Sequence, residues 1–180
     1  MPQCDPSDTR LTSQADCPPG SGCYSREACG STVWCASGPA VDPIWPPTAT
    51  KLVAVNEGGG FVANPPPGSP CAIDGAKFTF TPSTRHLAWE LCNSTATPYA
   101  IVKGQRTITV GEAGTIDAAM SKLVIVNTNT CGADKPSLWV SVTTPSATAK
   151  YLDSFYACNK QGSYVDEIDG VFSVLRPLAK

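Results

Sequence analysis

His86 is the only histidine of this 180-residue chain, so imidazole chemistry could arise at one place only. A serine hydrolase needs such a base beside its nucleophile, with a third group to orient it. His86 stands between Arg85 and Leu87, behind a turn and at the start of an alternating apolar stretch, and no Gly-x-Ser-x-Gly elbow occurs. It reads as a hairpin-end residue, and no catalytic residue is assigned. Asp166, Glu167 and Asp169 form the densest acidic group. A calcium loop spreads regularly spaced oxygen ligands around a glycine turn, and Asp166-Glu-Ile-Asp-Gly170 is too short for one. These acids read instead as complements to the positive N-terminus of a helix. No metal and no cofactor are expected.

The nine cysteines are the strongest chemical signal. Structural zinc sites show paired C-x₂-C knuckles or Cys/His clusters. This chain has no C-x-x-C and one histidine, so the cysteines read as disulfide partners. Disulfides persist in oxidising compartments. The candidates are Cys17, Cys23, Cys29, Cys35, Cys71, Cys92, Cys131 and Cys158. An odd total leaves one cysteine unpaired or paired between chains. Cys4, near a terminus, is assigned that role. Met1-Pro2-Gln3 has neither a basic start nor an apolar segment. The expectation is a secreted, periplasmic or cell-surface protein whose export signal has been removed.

Charged residues make up 16% of the chain, against about 25% in a typical soluble domain. The net charge of −2 offers nothing to attract phosphate backbones or anionic lipid, which excludes nucleic acid as an expected partner. No apolar run reaches the length of a transmembrane segment. At 42% apolar, the chain can build a core over part of its length.

Composition divides the chain into three. Residues 1–38 hold five cysteines, the last four spaced C-x₅-C-x₅-C-x₅-C. Pro and Gly within Cys17-Pro-Pro-Gly-Ser-Gly-Cys23 oppose helix and strand. The segment is predicted to be a disulfide-rich knot of turns with two bridges. A Cys17–Cys29, Cys23–Cys35 ladder is the simplest guess, but spacing alone does not fix connectivity. Residues 39–70 form a Pro/Gly-rich connector around one short strand, Lys51–Val55.

Residues 71–180 form the body. Lys77–Thr81 and His86–Cys92 alternate, and Pro82–Arg85 between them is turn chemistry, which predicts a hairpin. Tyr99–Val102 and Gln105–Thr109 read as a strand pair or one strand bent at Gly104. Thr109 and Glu112 fit a capping box, followed by Ile116, Ala119, Met120 and Leu123 at helical spacing, so a helix is predicted over 110–122. Strands are predicted at Leu123–Asn127, Leu138–Thr143 and Lys150–Ala157. A last helix is predicted over Val165–Leu175, stopped by Pro177. This order predicts an α+β fold, mostly antiparallel sheet with two helices on one face. Trp45 and Trp139 fall at Pro-flanked and outward positions, where they could share an exposed binding patch. Asn93-Ser94-Thr95 is a glycosylation sequon.

Two resemblances follow. The Cys-Pro-Pro-Gly knot, the Pro-rich spacer and the Cys-bearing body resemble Cys-rich secreted or lipid-anchored proteins of predatory soil bacteria, whose function is unassigned. That likeness implies location only. Residues 86–175 resemble the subtilisin-inhibitor family in layout. The matching features are a strand ending at Cys92, a helix, Cys131 before a long alternating strand, and Tyr151–Cys158, an aromatic strand ending in cysteine. The resemblance implies a Cys131–Cys158 bridge and a protease-binding loop at Gly132, Ala133, Asp134 and Lys135. The helix lacks the family's cysteine, so Cys92 would need another partner, with Cys71 one choice. The family's Tyr-Asp-Pro after the loop is replaced by Asp134-Lys-Pro136, and its terminal strand by a helical pattern.

The leading expectation is a secreted or surface-held non-enzymatic binding or structural module that meets a protein or other extracellular ligand. The alternative is a serine protease inhibitor with its loop after Cys131 and a secreted protease as partner. An enzyme is least favoured, although paired carboxylates alone suffice for glycoside chemistry.

Overall fold

The structure, a computed structural model, describes residues 9–16, 22–28, 31–37, 43–58, 64–126, 135–155 and 162–180. The chain divides into two compact units, Met1–Pro43 and Ile44–Lys180.

In the first unit β1 (Thr9–Leu11), β2 (Gly22–Ala28) and β3 (Ser31–Ser37) form an antiparallel sheet in the order β1-β3-β2. The predicted knot of turns is therefore corrected to a three-stranded sheet. The alternation Thr32-Val-Trp-Cys35 on β3 carries it, because buried Val33 and Cys35 share one face. The register pairs Cys35 with Tyr24 and Cys23 with Ala36, so Cys23 and Cys35 are not opposite one another.

The second unit contains β4 (Lys51–Asn56), β5 (Ala76–Thr81), β6 (His86–Asn93) and β7 (Ala100–Thr107). Next come α1 (Val110–Met120), β8 (Val124–Val126), β9 (Leu138–Thr143), β10 (Thr148–Asp153), β11 (Ser163–Asp166) and α2 (Ile168–Leu178). The strands make one sheet in the order β7-β6-β5-β4-β9-β10-β11-β8, antiparallel except for the β10–β11 pair. The architecture is α+β. The strand of the predicted connector, β4, is central here, paired with β5 on one side and β9 on the other.

Period-2 alternation decides which face is buried. Leu52, Ala54, Phe78, Phe80, Leu87, Trp89, Val140 and Val142 point to one face and are buried. Ile116 and Met120 of α1 and Ile168, Val171, Phe172 and Leu175 of α2 close the same core. Phe172 meets Phe78 edge-on at 6.3 Å between ring centroids. The opposite face keeps Val53, Val55, Thr79, Ala88 and Ser141 half-buried.

Of the two arrangements predicted around Gly104, the single strand is found, and β7 runs through the glycine beside Trp89. The last predicted helix differs. The last helix starts at Ile168, since Ser163–Asp166 is captured as a strand between β8 and β10. Nor does Pro177 stop α2, which ends at Leu178. Half-buried Leu178 packs against the core, and its carbonyl accepts a hydrogen bond from Arg106 Nε at 2.9 Å. That contact holds the last turn although proline supplies no N–H.

Candidate functional site

Among the described residues, the densest meeting of charged side chains lies where β10, β11 and the start of α2 approach residues 135–137, which lead into β9. Asp153 is the last residue of β10 and projects to the core side, two positions after Tyr151. Its side chain is 4% exposed. Its Oδ1 accepts the Phe155 N–H at 3.1 Å. Lys135 reaches in from the other side. Its Nζ lies 2.6 Å from Asp153 Oδ2, yet too obliquely for a hydrogen bond, so that buried oxygen has no hydrogen-bond partner. Distance and direction disagree here. The contact is close and electrostatic, without the alignment of an ordinary charge-assisted bond.

The same Nζ contacts Asp169 Oδ2, on the largely exposed first turn of α2, and lies 5.6 Å from the centre of the Phe155 ring. Burial works against the Lys135 charge, but Asp153 and Asp169 together outweigh it, and the ammonium is held above its ordinary pKa. Ser154 donates its hydroxyl to Asp166 Oδ1. Glu167 sits at the junction in the left-handed region, φ 67°. Lys135, Asp153, Phe155, Asp166, Glu167 and Asp169 line a cleft of about 510 Å³. The acids read from sequence as one helix-start group are therefore spread over three settings. Asp166 ends β11, Glu167 stands at the N-cap position of α2 without a side-chain capping bond, and only Asp169 lies in the helix's first turn.

Asp153 was not singled out from sequence. The available signal was a carboxylate at the inward position of the alternating stretch Tyr151-Leu-Asp153. Nothing local distinguishes such a residue from an aspartate at a strand end. Among the described residues no group of three or more His, Cys, Asp or Glu side chains is arranged to hold a metal ion. Two of the carboxylates converge on an ammonium instead.

Of the predicted disulfide residues, Cys71 and Cys92 are bonded to each other, with Cα atoms 5.7 Å apart. Cys35 is disulfide-bonded as well. Cys23 lies on β2. Cys17, Cys29, Cys131 and Cys158 lie outside the described residues, as does Cys4. Of the loop predicted to meet a protease, Gly132, Ala133 and Asp134 also lie outside them. Lys135 is 22% exposed and directed at Asp153 and Asp169.

The remaining candidates are placed apart. His86 begins β6, half-buried, opposite Thr81 and Thr107. Trp45 packs against the core, and its Nε1 donates to Asp117 on α1 at 2.8 Å. Trp139 lies on the other face of the sheet, where Nε1 donates to Glu57 at 3.1 Å and Lys150 Nζ stands 4.0 Å from the ring centre. The two tryptophans therefore do not form one exposed patch, because the sheet separates them. Asn93 of the sequon accepts from Thr95 N at 3.0 Å and Thr95 Oγ1 at 2.7 Å, a local turn at the end of β6.

No family model matches the chain, and neither a curated protein nor a solved structure matches it. Fold and site define the class: a disulfide-bridged α+β protein with a partly buried lysine–carboxylate cluster. No helix among the described residues is long and apolar enough to cross a membrane.

Proposed function

We propose that this chain is a secreted or surface-held module with a structural or binding role rather than an enzymatic one. The observation that carries the reading is the Cys71–Cys92 bridge, which ties the segment before β5 to the end of β6. A bridge of this kind lasts where thiols are not kept reduced. Bonded Cys35 supports the same reading in the other unit. A binding role draws on the half-buried Val53, Val55 and Ala88, on the sheet face that neither helix covers within its unit.

Thiol titration of the denatured, unreduced protein from an oxidising host tests this. One free thiol per chain, or one disulfide between two chains, is expected. Most of the nine sulfurs titrating free would overturn it.

A protease inhibitor is the second reading. Lys135, the described end of its loop, turns its charge inward, so contact with a protease would fall to Gly132–Asp134. Titration against subtilisin and trypsin separates the two readings, and stoichiometric inhibition of either would put the inhibitor first.

A further inference from the structure

We propose that Lys135 and Asp153 condense into an intramolecular amide, a covalent cross-link closing around the β9–β10 hairpin. The geometry brings an amine against a carboxyl group at 2.6 Å, off the direction of a hydrogen bond. The carboxyl is nearly enclosed, with 4% of its side chain exposed, while the lysine keeps 22%. The carboxyl meets the cleft through only a small part of its surface, and the cleft gives one water a route to leave.

The pairing is uncomfortable as it stands. A buried ion pair repays its desolvation only with good geometry and with its remaining lone pairs satisfied. Here Asp153 Oδ2 is buried without a hydrogen bond. Condensation removes both charges and that oxygen together.

The step balances without an oxidant or any co-reactant. The ammonium–carboxylate pair carries the same protons as an amine–carboxylic acid pair, so one proton must first pass from Nζ to a carboxylate, against the hold of Asp153 and Asp169 on the ammonium. The Nζ lone pair attacks Asp153 Cγ and forms the N–C bond. One carboxyl oxygen then leaves as water, taking its hydrogens from the nitrogen and the acid. Asp169 Oδ2 touches the same Nζ, so it can accept the proton released by nitrogen and return it to the departing oxygen. In dilute solution water opposes such a reaction. Fixed reacting groups act at effective molarities of roughly 10⁵–10⁸ M, which reverses that balance. The cross-link needs no oxidising compartment, so it stands or falls separately from the reading above.

The test is the mass of the intact wild-type chain, fully reduced, followed by peptide mapping. The expected result is a mass lighter by one water than the sequence requires, with a branched peptide joining Lys135 to Asp153. Lys135→Arg keeps the positive charge but has no amine to acylate, so its mass should equal the calculated one. Asp169→Asn should slow the loss of water. Asp-Gly sequences also lose water by closing to succinimide, and Asp74-Gly75 and Asp169-Gly170 are two of them. A wild-type mass that stays at the uncondensed value through prolonged incubation overturns the proposal. So does a loss of water mapping to either Asp-Gly pair without a branched peptide. Both readings come from the wild-type chain and hold even if a variant fails to fold.

Discussion

Arg106 and Glu112 face each other through two parallel hydrogen bonds, Nη1 to Oε2 at 3.1 Å and Nη2 to Oε1 at 2.7 Å. Glu112 also completes the capping box of α1. Its Oε2 accepts the Thr109 N–H at 2.8 Å, while Thr109 Oγ1 accepts the Glu112 N–H at 3.2 Å. One carboxylate thus joins the edge strand β7 to the start of a helix that contains two glycines, Gly111 and Gly114.

The Arg106 fork, followed by the Thr109 N–H, lowers the Glu112 pKa from 4.5 to about 2. Between those values the unfolded chain binds the proton and the folded chain does not, so stability rises with pH there. The contribution is present above pH 4.5 and fades as pH falls toward 2. Glu112→Gln should remove this part of the pH dependence. Denaturation midpoints of both proteins between pH 2 and pH 7 check it, and profiles that stay parallel throughout would refute it.

Gly104 lies directly against the Trp89 ring. A Cβ there would fall 2.3 Å from Trp89 Cζ2. Trp89 is buried, so the ring has little room to retreat. Gly104→Ala should cost about 1–3 kcal/mol, the usual range for overpacking. The cost should shrink in a Trp89→Leu background, because contacting positions couple. An equal cost in both backgrounds would show that the ring is not the obstacle.

The Cys71–Cys92 bridge spans 21 residues of sequence. Replacing both by serine should cost about 3 kcal/mol, chiefly by freeing the unfolded chain. Urea midpoints under non-reducing conditions measure it. Unchanged stability would mean that the neighbouring hydrogen bonds already hold the loop, Cys92 N to Gly75 O at 2.8 Å and Arg176 Nη2 to Asp74 O at 2.7 Å.

Phe78 is 1% exposed and joins the sheet to α2 through Phe172. Phe78→Ala should cost about 3–5 kcal/mol as transfer and cavity terms add. Calorimetry reads this as a lowered Tm. A loss below about 1 kcal/mol would mean that the core collapses into the space left behind.

What the sequence determined by itself was local. Alternation over Lys77–Thr81, His86–Cys92 and Leu138–Thr143 marks strands and their buried faces, because side chains on a strand repeat every second residue. The Thr109–Glu112 box marks the start of α1, because its partners lie within one turn. Tertiary structure decided whatever depends on distant neighbours. Ser163–Asp166 extends because β8 and β10 supply hydrogen-bond partners on both sides, although the predicted helix takes in its last two residues, Val165 and Asp166. Lys51–Asn56 becomes a central strand because β5 and β9, far away in sequence, flank it. Lys135, Asp153 and Asp169 meet only after the sheet order and the packing of α2 bring them together. No pattern along the chain encodes that meeting, because it depends on how whole elements pack.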